Sequence, residues 1–184
     1  MQQLKRIEDF FRLCGDPPSA IPEAQSIAAA EVPDPYRRML AHNGHMTVAL
    51  ESFHDSTLEL RVLSEHTAEP FYARKIQLLH PETRRILQFG IVRLNLDYSD
   101  EPVRQRILAR DTPLGRILLE HGFMTRVVTH DLLRISLNHE LADALGVDSK
   151  RERPTTFGRI ATVNVDNQPA VELLEIVTPQ SLAL

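Results

Sequence analysis

The chain has 184 residues, of which 42% are hydrophobic and 25% charged, a composition typical of globular proteins. Its net charge of −4 lacks the basic excess of nucleic-acid-binding proteins. Cys14 is the only cysteine, which excludes an intrachain disulfide and a cysteine-rich zinc site. The N-terminus has no secretion-signal pattern, and no stretch approaches the ~20 apolar residues of a membrane helix. We therefore expect a cytoplasmic protein without a nucleic-acid partner or a membrane span.

The N-terminal part, residues 1–35, is predicted to be a helix followed by a proline-rich segment. Apolar side chains at near-helical spacing indicate an amphipathic helix that ends at residues 15–18, where Gly-Asp-Pro-Pro stops it. Residues 17–35 are rich in proline and alanine, which is compatible with either an ordered crossing or a mobile arm. A short helix is predicted over residues 35–42.

Beyond residue 57 the apolar period changes to two, the pattern of half-buried strands. Six strands are predicted, over residues 57–63, 71–79, 84–96, 125–137, 157–165 and 170–177. Helices are predicted over residues 99–110, 112–121 and 138–145. Short turns join several of the strands, so we predict an α+β fold with a single antiparallel sheet of about six strands. The flanking helices are expected on one side of the sheet, and residues 1–184 are expected to form one domain.

Two charged residues interrupt strand faces that are otherwise apolar, namely Arg74 and Glu175. Burying an unpaired charge costs several kcal/mol, so such residues indicate a site for a small anionic molecule. Arg74 would await the anion, and Glu175 would hydrogen-bond or move a proton. Alternatively, both residues are exposed at an edge or pair with each other. Glu172, on the opposite face of the last strand, is a rival carboxylate that periodicity does not exclude.

Other signals for chemistry are weaker. His42 and His45 have i, i+3 spacing, with His54 or His66 as a third ligand, but no paired carboxylate accompanies them. We expect these histidines to lie at the surface or at helix ends. The sequence has no GxSxG, P-loop or GxGxxG motif, so nucleophilic hydrolysis, nucleotide hydrolysis and dinucleotide binding lack their usual signals.

Five short motifs occur in the order seen in the chorismate pyruvate-lyase family. They are His45-Met46-Thr47, Tyr72-Ala73-Arg74-Lys75-Ile76, Thr112-Pro113-Leu114-Gly115-Arg116, Phe157-Gly158-Arg159 and Glu175-Ile176-Val177-Thr178-Pro179. Over roughly residues 36–179 the chain therefore resembles a divergent branch of this family. The resemblance implies an antiparallel sheet, flanked by helices, that encloses a buried aromatic-acid pocket under flap-like helical segments. It also implies that no metal and no organic cofactor is needed.

The resemblance assigns roles to four residues. The family eliminates pyruvate from chorismate and leaves 4-hydroxybenzoate. By position, Arg74 resembles the residue that grips the ring carboxylate, and Glu175 resembles the residue that meets the ring's 4-oxygen and handles protons. Met46 would line the pocket, and Leu114 would offer backbone contacts. The family's glutamate lies four residues before a proline, as Glu175 does and Glu172 does not.

The sequence thus predicts a carbon–oxygen lyase that converts chorismate to 4-hydroxybenzoate for ubiquinone or secondary metabolism, as a monomer or homodimer. Two alternatives stay open. One is a lyase that acts on another carboxylated ring. The other is a non-catalytic module that binds an aromatic acid and is related to the effector domains of transcription regulators.

Overall fold

A computed structural model describes residues 6–148 and 154–180. The helices in these ranges are α1 (Ile7–Leu13), α2 (Tyr36–Leu40), α3 (Met46–His54), α4 (Glu101–Ala109), α5 (Leu114–Glu120) and α6 (His139–Ala144). The strands are β1 (Glu23–Ile27), β2 (Glu59–Ala68), β3 (Phe71–Leu79), β4 (Ile86–Asn95), β5 (Thr125–Ser136), β6 (Thr155–Val165) and β7 (Gln168–Val177). None of these helices is long and apolar enough to cross a membrane. The first residues of the predicted N-terminal helix lie outside the described residues.

The strands form one antiparallel sheet in the order β1-β5-β6-β7-β4-β3-β2. The α+β prediction is confirmed, but the sheet has seven strands instead of six. The additional strand is β1, which pairs with β5 at the sheet edge, from Glu23 opposite Ser136 to Ile27 opposite Leu132. Four of its five side chains are exposed, so no alternation of apolar residues marks it in the sequence.

Helix α3 was also not predicted. Only Met46, Thr47 and Leu50 among its residues are buried, and no side chain caps its N-terminus. The sequence of α3 therefore has neither a long apolar stripe nor an N-cap side chain, the two signals from which a helix is usually recognised. The helix ends at Asp55, which takes the left-handed conformation with φ 48°. By contrast, β3 spans the residues predicted for it, where a hairpin turn at residues 80–83 marks its end in the sequence.

Helices cover both faces of the sheet, which corrects the expectation of helices on one side. On the front face, α2 and α3 pack around Ile76, and α4 and α5 pack around Val92. On the back face, α1 and α6 pack around Ile91 and Leu174. The central strands are buried along nearly their whole length, as β4 and β7 show. Strands that are apolar on both faces need cover on both, which explains the second layer of helices.

Candidate functional site

A buried ion pair lies at the centre of the front face. Cross-strand pairing aligns Ile76, Gly90, Glu175 and Arg159 in one row across β3, β4, β7 and β6. Glu175 is 6% exposed and Arg159 is fully buried. Nε of Arg159 donates a hydrogen bond to Oε2 of Glu175 at 2.6 Å. The carboxylate therefore has a charged partner within the sheet.

Arg159 also holds the loop at residues 41–45, between α2 and α3. Its Nη1 donates to the carbonyl oxygen of His42 at 2.9 Å, and its Nη2 donates to that of Gly44 at 3.1 Å. The His42 ring closes the same loop, since its Nδ1 accepts from the Gly44 N–H at 3.0 Å and its Nε2 lies 2.7 Å from the carbonyl of Met39. Arg159 thus joins the sheet to the segment that leads into α3.

A cleft opens beside this pair, between the front face and the first residues of α3 and α5. Its wall is mainly apolar with a few polar groups, as in small-molecule sites. Three residues predicted for the site line the cleft together, namely Met46, Leu114 and Glu175. Arg159 and His45 are among its polar members.

Arg74, the fourth predicted residue, lies next to the cleft without lining it. Its neighbour on the same strand face, Ile76, and its cross-strand partner, Val92, both line the cleft. Arg74 is 1% exposed, and its Nη1 donates to the carbonyl oxygen of Ile107 on α4 at 3.2 Å. Its Nε and Nη2 are buried without a hydrogen-bond partner among the described residues. Burial lowers the pKa of Arg74, and the phenol of Tyr72 partly offsets this effect.

Arg74 and Glu175 do not pair with each other, which was one of the alternatives that the sequence left open. Glu175 is paired with Arg159, and β3 lies two strands away from β7. Glu172 lies on the back face, where it forms a buried ion pair with Arg93. Of the two rival glutamates, only Glu175 lines the cleft.

Two buried polar residues of the cleft received no role from the sequence, namely Arg159, which was named only as part of the Phe157-Gly158-Arg159 motif, and Gln88. Gln88 is 2% exposed and lines the cleft from β4. The signal that identified Arg74 was nevertheless present for Arg159, because this residue interrupts an apolar strand face between Phe157 and Ala161. A glutamine is a weaker signal, since an uncharged amide costs less to bury than a charge does.

The Leu114-Gly115-Arg116 motif sets the contact between α5 and α3. A Cβ atom at Gly115 would lie 2.9 Å from Oγ1 of Thr47, so glycine allows the two helices to approach at the rim of the cleft. The next residue, Arg116, forms an ion pair with Glu51 on α3. This part of the motif therefore has a structural role beside the cleft.

The histidines of the loop are partly buried bases. Nε2 of His45 lies 2.8 Å from Oγ1 of Thr125. Burial lowers the pKa of both His42 and His45, and Arg159 lowers both further, whereas Glu175 opposes the shift. The neutral imidazole is therefore favoured in both residues, and of the two only His45 lines the cleft.

No protein-family model matches the chain, and no curated protein matches it. Solved structures do match. PhnF from Mycobacterium smegmatis is 13% identical with a TM-score of 0.55, over 73% of this chain and 64% of PhnF. The effector domain of PhnF is 14% identical with a TM-score of 0.55, over 73% of this chain and 88% of the domain.

A third structure is the ligand-binding domain of a protein from Bordetella bronchiseptica assigned to the GntR family of transcriptional regulators. It is 15% identical with a TM-score of 0.50, over 68% of this chain and 92% of the domain. This chain thus spans less than two thirds of PhnF but most of each isolated domain. At these identities the likeness concerns the fold alone. The chain has the fold of these effector and ligand-binding domains, which is also the chorismate lyase-like fold.

Proposed function

We propose that this chain is a binding domain for a small carboxylic acid with a single ring, which it holds in the front-face cleft. The observation that carries the proposal is Arg74, whose buried guanidinium has two nitrogen atoms without a partner among the described residues. A carboxylate is the planar group that pairs with such a guanidinium through two parallel hydrogen bonds. Buried polar groups are normally hydrogen-bonded, so the two unused donors indicate a missing partner.

The rest of the cleft supports a ring rather than a flexible chain. Its wall is mainly apolar, which suits the face of a ring. In the proposed complex the carboxylate lies past Val92 at Arg74, the ring lies against the apolar wall of the cleft, and the far end approaches the ion pair of Arg159 with Glu175. The fold supports binding without turnover, because it is shared with an effector domain and a ligand-binding domain.

Thermal unfolding with two matched ligands tests this proposal. 4-Hydroxybenzoate is expected to raise the melting temperature, since a ligand that binds the native state stabilises it by mass action. Its neutral amide, 4-hydroxybenzamide, is expected to have little effect. Arg74→Met should abolish the response to the acid, and Arg84→Met, which alters an exposed arginine paired with Glu59, should keep it. If no ring acid stabilises the wild-type protein, the proposal is wrong.

A second candidate function is the elimination of pyruvate from chorismate. The observation that favours it is Glu175, which lines the cleft and belongs to the motifs that resemble chorismate pyruvate-lyases. Elimination makes the ring aromatic, so the reaction has an intrinsic driving force and the protein mainly has to orient the substrate and move a proton. A positioned acid–base group contributes ~10²–10⁴-fold to such a rate.

The hypothesis that the protein is a lyase has its own test. Purified protein is incubated with chorismate, and pyruvate and 4-hydroxybenzoate are measured. Glu175→Gln should abolish their formation if the protein is a lyase. A protein that binds 4-hydroxybenzoate but forms no pyruvate would exclude turnover and leave the binding function in place.

A further inference from the structure

Glu65 on the edge strand β2 is the direct cross-strand partner of Arg74. Directly opposite residues of an antiparallel pair lie on one face with their Cβ atoms about 5 Å apart, so opposite charges in these positions attract each other strongly enough to stabilise the sheet. Nε and Nη2 of Arg74 nevertheless have no hydrogen-bond partner among the described residues. A carboxylate thus lies opposite a buried guanidinium without neutralising it.

Two other side chains hold Glu65. Its Oε1 accepts a hydrogen bond from Nη1 of Arg110 at 2.9 Å, and its Oε2 accepts one from the phenol of Tyr72 at 2.9 Å. Burial raises the pKa of this phenol, and the hydrogen bond to Glu65 raises it further, so the phenol keeps its proton and remains a donor. Arg110 is the residue that directly follows α4. The end of α4 and Tyr72 therefore fix the direction of the carboxylate.

Arg74 lies between this carboxylate and the cleft. The strand register aligns Glu65, Arg74 and Val92 in one row across β2, β3 and β4, and Val92 lines the cleft. An anion can therefore approach the guanidinium from either side, as Glu65 from the sheet edge or as a ligand from the cleft. Nε and Nη2 form one fork, which takes one carboxylate through two parallel hydrogen bonds. The two anions would compete for it.

We propose that Glu65 is an internal competitor for the ligand's carboxylate at Arg74. Arg110 and Tyr72 reserve the guanidinium for the ligand, because they hold this glutamate at the edge of the sheet. The inference rests on the proposed function and concerns the regulation of the same site. The side chains of Arg110 and Glu65 are 53% and 40% exposed, and an exposed ion pair contributes little to stability. Its loss is therefore enough to release Glu65 toward the buried charge, which is costly while unpaired.

Calorimetry with 4-hydroxybenzoate tests the competition. Arg110→Met is expected to bind the acid about tenfold more weakly than the wild-type protein, because Glu65 then occupies the guanidinium and must be displaced. Adding Glu65→Gln to this variant should restore the affinity, since a neutral amide does not compete with a carboxylate. Glu65→Gln alone should bind the acid at least as tightly as the wild-type protein. Weaker binding by Glu65→Gln alone would mean that Glu65 supports the site, and would overturn the inference.

Matched controls come from a second exposed ion pair of α4. Arg106→Met removes the same charge from the same helix, where Arg106 pairs with Glu120, and it should leave the affinity unchanged. Glu120→Gln removes the same charge as Glu65→Gln, but it should not restore binding when it is added to Arg110→Met. These two controls separate competition at Arg74 from a general effect of net charge on the binding of an anion. Equal weakening by Arg106→Met and Arg110→Met would contradict the inference.

The outcomes for Glu65 and for the proposed function are distinguishable. If the wild-type protein binds the acid and Arg110→Met binds it equally well, or if Glu65→Gln does not restore the affinity of Arg110→Met, the competition is wrong and the binding function stands. If no ring acid binds the wild-type protein, the proposed function fails and the inference fails with it.

Discussion

Arg159 and Glu175 form a buried ion pair across neighbouring strands, with the arginine Nε 2.6 Å from the carboxylate. The same guanidinium donates to backbone carbonyl oxygens of the loop at residues 41–45. Arg159 lines the cleft, and it therefore also positions the loop that leads into α3. A ligand that contacts Glu175 would therefore also affect Arg159, the residue that holds this loop.

Arg159→Met is expected to destabilise the protein by about 3–5 kcal/mol, because it leaves Glu175 as a buried charge without a partner. Urea unfolding measures the loss. The double variant Arg159→Met, Glu175→Met should recover part of it, since no buried charge then remains unpaired. Arg37→Met, which breaks an exposed pair with Asp34, is the control and should cost little. Similar losses for Arg37→Met and Arg159→Met would contradict the role of burial.

Arg74→Met is expected to stabilise the ligand-free protein by about 1 kcal/mol or more. Methionine fills the same space without leaving guanidinium nitrogens unpaired in the core. Arg93→Met is the matched control, because Arg93 is also buried but forms an ion pair with Glu172, and its loss should destabilise. Thermal unfolding of both variants checks the contrast. A large destabilisation by Arg74→Met would show that the fold itself needs this charge.

The free energy of unfolding is expected to fall as the pH drops below about 6.5. Burial lowers the pKa of His42 and His45 from 6.5, so below this pH the unfolded chain binds protons that the folded chain does not. The contribution of the two histidines to the free energy of unfolding is complete above their pKa in the unfolded chain. It is lost as the pH falls through their lower pKa in the folded protein.

Urea unfolding at about pH 7.5 and about pH 5 measures this dependence on protonation. The double variant His42→Gln, His45→Gln should lose less stability between these conditions than the wild-type protein. Some dependence should persist, since burial also lowers the pKa of His54. An identical loss in both proteins would rule out the loop histidines as its source.

Gly115→Ala is expected to cost about 1–3 kcal/mol by overpacking the contact between α5 and α3. The new Cβ would lie 2.9 Å from Oγ1 of Thr47. Gly44→Ala is the control, because the nearest atom to its new Cβ, Nδ1 of His42, lies 3.4 Å away. Chemical denaturation compares the two variants. Equal stability of both would mean that the helix contact is looser than the structure indicates.

Cys14 is expected to react with iodoacetamide about 100-fold more slowly in the folded protein than in the unfolded protein at about pH 8. Burial raises the pKa of its thiol from 9.0 to about 11, although Lys75 opposes the shift. The thiolate is the reactive form, and a rise of the pKa by about one reduces the fraction of thiolate, and with it the rate, about tenfold. Mass spectrometry with and without urea gives the two rates, and equal rates would contradict the shift.

Local periodicity in the sequence determined the class of fold and the faces of most strands. The period of two placed Arg74 on the same face of β3 as Ile76, because successive side chains of a strand point to opposite faces. The same rule separated Glu175 from Glu172 onto opposite faces of β7. Such local patterns do not mark β1, whose side chains are mostly exposed, or α3, which buries few residues.

Short turns in the sequence predicted that some strands are neighbours, but only the tertiary structure decided the full order of the sheet and the register between its strands. The register between β6 and β7 places Arg159 opposite Glu175 as its partner, whereas two nitrogen atoms of Arg74 have no hydrogen-bond partner among the described residues. The same packing leaves Oε1 of Gln88 unsatisfied beside the cleft. A period of two specifies the face of a side chain, but the partner of a buried charge depends on contacts between residues distant in the sequence. For this reason the sequence predicted buried charges, and the structure decided which of them are left for a ligand.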